Sequence, residues 1–188
     1  MGQYHIPVNL TKREFVDPHR LGAGLKLWEQ LAAHPGTGAA LIILCAALPE
    51  NRGGGDFDVT KNWHGPERKF PEHNCTPAPM PKTYAKIARS TIGRWAGDRI
   101  AIVGDYAERG DLPAKDNADL IYELCCSKQE LKAQIAHLRN NGRAKAASRL
   151  EKLTPFTDVS HLVAAVIEHE LNGKFTGEGW RDFERSRT

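Results

Sequence analysis

The chain lacks an apolar run long enough to cross a membrane. Its most apolar stretch, TGAALIILCAAL at residues 37–48, spans about twelve residues, where a membrane helix takes about twenty. That stretch therefore reads as a buried helix. No basic-then-apolar leader opens the N-terminus, so a secretion signal is not expected. Ile6 stands where myristoylation of Gly2 would require Ser or Thr. Cysteine is sparse, and its four positions do not form a disulfide framework. Cys45 lies in the apolar run, Cys75 in a polar stretch, and Cys125 and Cys126 are adjacent, which points their side chains apart on a helix. A cytoplasmic protein with free thiols is the expectation.

Several catalytic signatures are missing as well. HPGTG at residues 34–38 lacks the Gly-Lys-Ser/Thr of a phosphate-binding loop, and no GxGxxG occurs. His169-Glu170 does not extend to HExxH, because position 173 is glycine. No GxSxG nucleophile elbow is present. Internal repeats and low-complexity tracts are absent too. What is there is ordinary globular composition: 188 residues, 40% hydrophobic and 26% charged, with a formal charge of +3. This length fits one domain with a real core, assigned to residues 1–173, followed by a polar tail at 174–188. The mild basic excess permits a nucleic-acid or anionic partner without arguing for one.

Hydrophobic periodicity supplies the elements. Tyr4, Ile6, Val8 and Leu10 alternate with polar residues and proline, the period of a half-buried strand. A turn near Thr11 and Lys12 leads into a second arm at 13–16, giving a hairpin, and Pro7, which lacks a ladder donor, favours an edge position or a strand end. Leu21, Leu25, Trp28 and Leu31 have helical spacing, ending at Pro35-Gly36. Residues 50–80 have no period and read as a long loop. Pro81 opens a helix to about residue 90.

GRWAGDRIAIVGDYAERG, residues 93–110, reads as a second hairpin with arms at 94–96 and 99–106 around a Gly97-Asp98 turn. Helices then follow. One carries the stripe Ala118, Ile121, Leu124 and Cys125; another opens on a Ser127–Glu130 capping box and turns at Asn140-Asn141-Gly142. A third ends at Leu150 and Leu153, before Pro155. The last is capped by Thr157 and buries Val159, Leu162, Val163, Val166 and Ile167. Strands early and helices late, without regular alternation, indicate an α+β fold: a small antiparallel sheet of two hairpins, packed by helices, with a helical C-terminal third.

Candidate chemistry is thin. GDYAERG at 104–110 resembles the GDxxDRG motif of calcineurin-like metallophosphatases, in which the first aspartate bridges two metals that activate water. Glu108 replaces the second aspartate, Asp17-Pro18-His19 lies far upstream of Asp105, and no Asn-His pair follows Gly110. His64, His73 and Cys75 do not form two close ligand pairs for zinc. Asp56 and Asp58 follow the glycines 53–55, where backbone and carboxylates together suit a ligand. Arg139, Arg143, Lys145, Arg149 and Lys152 concentrate base around Gly142, which reads first as a solvated helix face.

Two segments, VNLTKREFVDPHRLGAGLKLWE at 8–29 and GRWAGDRIAIVGDY at 93–106, resemble a family of uncharacterised proteins from bacteria and their phages. They cover about a fifth of the chain, and the resemblance implies grouping rather than mechanism. It singles out His19, Lys26, Trp28, Glu29, Trp95, Asp98, Arg99, Asp105 and Tyr106. Polar groups at strand ends are rigidly held yet reach solvent, which suits binding. The ligand-binding candidates are therefore His19, Lys26, Asp56, Trp95, Asp98, Arg99, Asp105 and Tyr106. The expected function is that of a phage- or mobile-element-associated accessory factor that binds a protein or small ligand. No membrane is expected as a partner, and nucleic acid is the disfavoured one. The alternative is a metal-dependent hydrolase of a phosphate-containing substrate, using Asp105 and Glu108 with Asp56 or Asp58. The helices after Leu120 form a candidate partner surface.

Overall fold

A computed structural model describes residues 3–32, 36–46 and 82–170 of the chain. The fold is α+β, as the element order indicates. Strands β1 (His5–Asn9), β2 (Glu14–Phe15), β3 (Ile100–Gly104) and β4 (Thr157–Asp158) form one sheet in the order β3-β1-β2-β4. Helices α1 (Leu27–Ala32), α2 (Thr37–Cys45), α3 (Lys82–Thr91), α4 (Ala118–Leu124), α5 (Lys128–Asn140), α6 (Ala144–Leu150) and α7 (Ser160–Glu170) pack around it. Among the described residues no helix is long and apolar enough to cross a membrane.

The N-terminal hairpin forms where alternation places it, with Val8 opposite Phe15 and Asn9 opposite Glu14. Asn9 makes its turn. The fully buried side chain accepts from the Thr11 and Lys12 backbone N–H groups at 2.9 and 2.8 Å. Arg13 completes the reversal at φ 57°, the left-handed region that side chains usually avoid. Its guanidinium lies 4.4 Å from the Phe156 ring centroid and donates to the Thr154 carbonyl.

β1 is an inner strand with Pro7 in its middle, which corrects the edge or strand-end position expected from Pro7. Backbone groups of alternate β1 residues point to opposite neighbours. The Leu10 N–H and the Tyr4 carbonyl bond the β3 side, whereas the Pro7 carbonyl accepts from Val16 N–H on the β2 side. β2 ends at Phe15. The donor that proline lacks therefore faces the end of a short strand rather than the continuous ladder with β3.

The second expected hairpin does not form. Residues 92–97 continue from α3 as tight turns, with Arg94 N–H bonded to Thr91 O, Ala96 to Gly93 and Asp98 to Trp95. The end of α2 draws this segment away from strand pairing. Gly93 and Trp95 donate their N–H groups to the Ile43 and Leu44 carbonyls at 2.9 and 2.7 Å, satisfying acceptors that a helix end leaves free. Gly93 takes φ 71°, and a Cβ there would meet the Ala46 carbonyl oxygen at 2.6 Å, so only glycine fits this approach. β3 pairs antiparallel with β1 instead, from His5 opposite Gly104 to Asn9 opposite Ile100. The sheet is also mixed rather than antiparallel, because β4 runs parallel to β2. Thr157 thus lies in a strand instead of capping the last helix, and the Asp158 carboxylate accepts from Ser160 N–H at the start of α7.

The buried apolar side chains form two clusters. Ile6, Val8, Phe15 and Val103 pack with Leu120, Ile121 and Leu124 of α4, Leu131 of α5 and Leu150 of α6. The other cluster joins Val16, Leu21 and Trp95 to Ile43 and Leu44 of α2, Ala88 of α3, and Val159, Val163, Val166 and Ile167, which precede or lie on α7. The stripe expected from Leu21 to Leu31 is realised only in its first half: Leu21 is buried on the turn at Pro18–Leu21 and Leu25 packs against the interior ahead of α1. α1 itself is short, and it is Gln30 that it buries, donating to the His5 and Leu25 carbonyls at 2.7 and 2.9 Å. Trp28 is consequently 80% exposed and Leu31 66%. The capping box is present as read: Ser127 accepts from Glu130 N–H, and the Glu130 carboxylate accepts from Ser127 N–H.

Glu14 connects the two halves of this arrangement. Its carboxylate is buried and accepts from Arg94 Nε at 2.8 Å, Arg94 Nη2 at 2.5 Å and Trp95 Nε1 at 2.8 Å. Glu14→Ala should lower the unfolding free energy by about 3 kcal/mol in urea titration, because breaking a buried pair strands the other partners. Trp95→Phe, which keeps a ring and drops the N–H, should cost about 1–2 kcal/mol.

A pH dependence follows. Burial pulls the Glu14 carboxyl upward, but the hydrogen bonds from Arg94 and Trp95 and the charges of Arg94 and Lys12 outweigh it and hold it below its ordinary value. A depressed carboxyl stabilises fully above its unfolded value of about 4.3, and the contribution is lost as pH falls through the folded value. Melting temperatures taken from about pH 6 to about pH 2 should fall below about pH 4, and Glu14→Gln should flatten that fall.

Candidate functional site

The residues singled out from sequence divide by what they hold. Trp95 is fully buried, committed to the core and to Glu14. Asp98 accepts from Asn9 Nδ2 at 2.7 Å and pairs with Lys12 Nζ at 2.9 Å, while Lys12 also donates to the Arg94 carbonyl. Arg99 pairs in bidentate fashion with Asp116 and donates its N–H to Thr11 Oγ1. These three side chains bind the 93–99 segment to the hairpin and to the loop before α4.

The others stand apart. His19 is exposed on a 3-10 turn at Pro18–Leu21, its N–H held by Asp17. Lys26 is exposed and pairs with Glu29 at 3.7 Å. Asp105 exchanges bonds with Tyr4, whose N–H donates to Oδ1 at 3.0 Å and whose carbonyl accepts from Asp105 N–H. Tyr106 beside it is 62% exposed. Glu108 is exposed, and its N–H donates to Asp111. Asp56, Asp58, His64, His73 and Cys75 lie outside the described residues, as do residues 171–188. Among the described residues no group of three His, Cys, Asp or Glu side chains is placed to hold a metal.

A concavity is formed by elements none of those candidates occupies. Helices α4, α5 and α6 enclose a cavity of about 630 Å³, within the range of small-molecule sites. Leu120, Leu138 and Leu150 give it an apolar floor, and Asp119, Glu123, Gln134, His137, Arg143 and Arg149 supply polar groups. The helices converge because each buries one stripe: Leu120 and Leu124 of α4, Leu131 of α5, and Ala147 and Leu150 of α6. The short turn at Asn141 and Gly142, with glycine at φ 73°, folds α6 back on α5.

Its polar groups differ in how far they are satisfied. Arg149 forks onto Asp119 at 2.8 and 3.2 Å, and with Arg109 at 3.4 Å it holds the Asp119 carboxyl below its usual range. His137 Nε2 lies 2.9 Å from Asn141 Nδ2. Among the described residues Glu123 forms no ion pair, and burial, with the nearby Asp119 charge adding to it, raises its carboxyl above the ordinary value. Gln134 Oε1 is buried with no hydrogen-bond donor among the described residues. Arg143 is exposed, and its charge reaches Glu123 without forming a salt bridge.

Sequence reading placed Arg143 and Arg149 in a basic group and missed Glu123 and Gln134. Asp119 and Glu123, four apart on one helix, were the available signal. No family model, curated protein or solved structure matches the chain.

The thiols near this region are poor nucleophiles. Burial pushes Cys126 up to about 11 and raises Cys125 as well. At neutral pH both should react with a disulfide reagent at least about tenfold more slowly than an unperturbed thiol. Mass-spectrometric mapping of the labelled residues checks this, with equal labelling expected in denaturant.

Proposed function

We propose that the protein acts by binding, taking a small ligand or the side chain of a protein partner into the α4–α6 cavity. One observation supports this reading above the others: a concavity of ligand size combines an apolar floor with a buried acceptor, Gln134 Oε1, that no donor meets among the described residues. Three of the candidates gathered from sequence, Trp95, Asp98 and Arg99, are engaged in holding the fold together. The accessory role in a phage or mobile element, implied by the resemblance of residues 8–29 and 93–106, is part of the same proposal. The cavity would be the surface through which that role is exercised.

Filling the cavity tests the reading. Ala146, half-buried on its wall, offers a site where a larger side chain projects into the space. A ligand at about a hundred times its dissociation constant should raise the melting temperature of the wild-type chain by about 5 °C or more. Ala146→Phe should abolish that rise while preserving the far-ultraviolet dichroism. Hits that stabilise both proteins equally would place binding elsewhere.

A further inference from the structure

We infer that the cavity is selective for an organic cation, a primary amine or guanidinium carried on an apolar stem. The inference rests on the binding reading above and assigns its ligand class. The unmet groups of the wall are acceptors. Among the described residues, Gln134 Oε1 is buried with no donor and Glu123 is a carboxylate without an ion pair. The main cationic donor of the wall, in contrast, is engaged. The Arg149 guanidinium is committed to both oxygens of Asp119, and His137 Nε2 accepts from Asn141 Nδ2. An anionic ligand would face Asp119 and Glu123 with Arg143 and the His137 ring to attract it.

A cation meets the opposite situation. Its N–H groups fill the capacity of Glu123 and Gln134, and charge-assisted bonds of this type are the strong ones. The floor of Leu120, Leu138 and Leu150 receives an alkyl stem, as apolar surfaces receive the stems of lysine and arginine. A bare metal ion fits less well, because the described residues place no three ligating side chains together. Burial of Glu123 agrees with this assignment, since an incoming positive charge compensates a carboxyl that desolvation otherwise disfavours.

The test titrates the full chain, followed by NMR chemical shifts, with pentylamine and agmatine as cations and pentanol and pentanoate as neutral and anionic isosteres. The amines should bind at least about tenfold more tightly than either isostere, a difference one charge-assisted bond supplies. Glu123→Gln and Gln134→Leu should each weaken amine binding by about tenfold while leaving pentanol unchanged. Both variants are checked for unaltered melting temperature. Nα-acetyl-lysine methylamide binding more tightly than pentylamine assigns the cation to a partner's lysine, and the reverse order assigns it to a free amine. Equal binding of pentanol or pentanoate, still abolished by Ala146→Phe, overturns the cation selectivity and leaves the binding reading intact. Absence of binding by every probe overturns both.

Discussion

A carboxylate taken out of water is costly unless several donors meet it, and Glu14 is such a carboxylate. Arg94 and Trp95 supply three hydrogen bonds to it from a segment some eighty residues away in sequence. The cross-strand neighbour of Glu14, Asn9, is equally committed: its oxygen shapes the hairpin turn and its nitrogen reaches Asp98. Lys12 closes the set on Asp98 and the Arg94 carbonyl. The hairpin and the 93–98 segment thus depend on each other for their polar groups. Neither satisfies its buried groups alone.

From that junction the remaining order follows. The same segment gives its Gly93 and Trp95 N–H groups to the end of α2, so one short stretch ties a helix terminus to the hairpin. It then releases the chain directly into β3, which pairs along the whole length of β1. β4 reaches the far side of β2 by parallel pairing, and Asp17 N–H bonds Ser160 at the head of α7. The helices α4, α5 and α6 lean on the opposite sheet face through Ile6, Val8, Phe15 and Val103. Their cavity is therefore supported by a rigid sheet while its polar wall stays open to a ligand. In the proposed binding role, the most distinctive part of the sequence serves the scaffold and a less distinctive part meets the partner.

This division explains why the candidate site was hard to read. Arginine, tryptophan and aspartate around a glycine turn look functional because they are costly residues to bury without partners. Their partners, Glu14, Asn9 and Lys12, lie in another segment, so their structural use is invisible along the chain. Glu123 and Gln134 have the reverse character. Each is an ordinary residue on an amphipathic helix, and its interest arises from what does not lie beside it in three dimensions. An unmet acceptor has no sequence signature.

Local physics alone determined much of the fold. Alternation at Tyr4 to Leu10, the run at Ile100 to Val103, the apolar helix after Thr37, the capping box at Ser127 and the turn at Gly142 were all legible, because strand period, helix caps and glycine turns act between near neighbours. Tertiary structure decided the rest. It turned the arm expected at 94–96 into a helix-end cap, because the α2 carbonyls needed donors. It set Pro7 in an inner strand, because the neighbour on that side was short. It faced Trp28 outward, because Gln30 had backbone carbonyls to satisfy. At the α2 terminus and at Gln30 a polar group found its partner across the fold, and that demand outweighed local propensity.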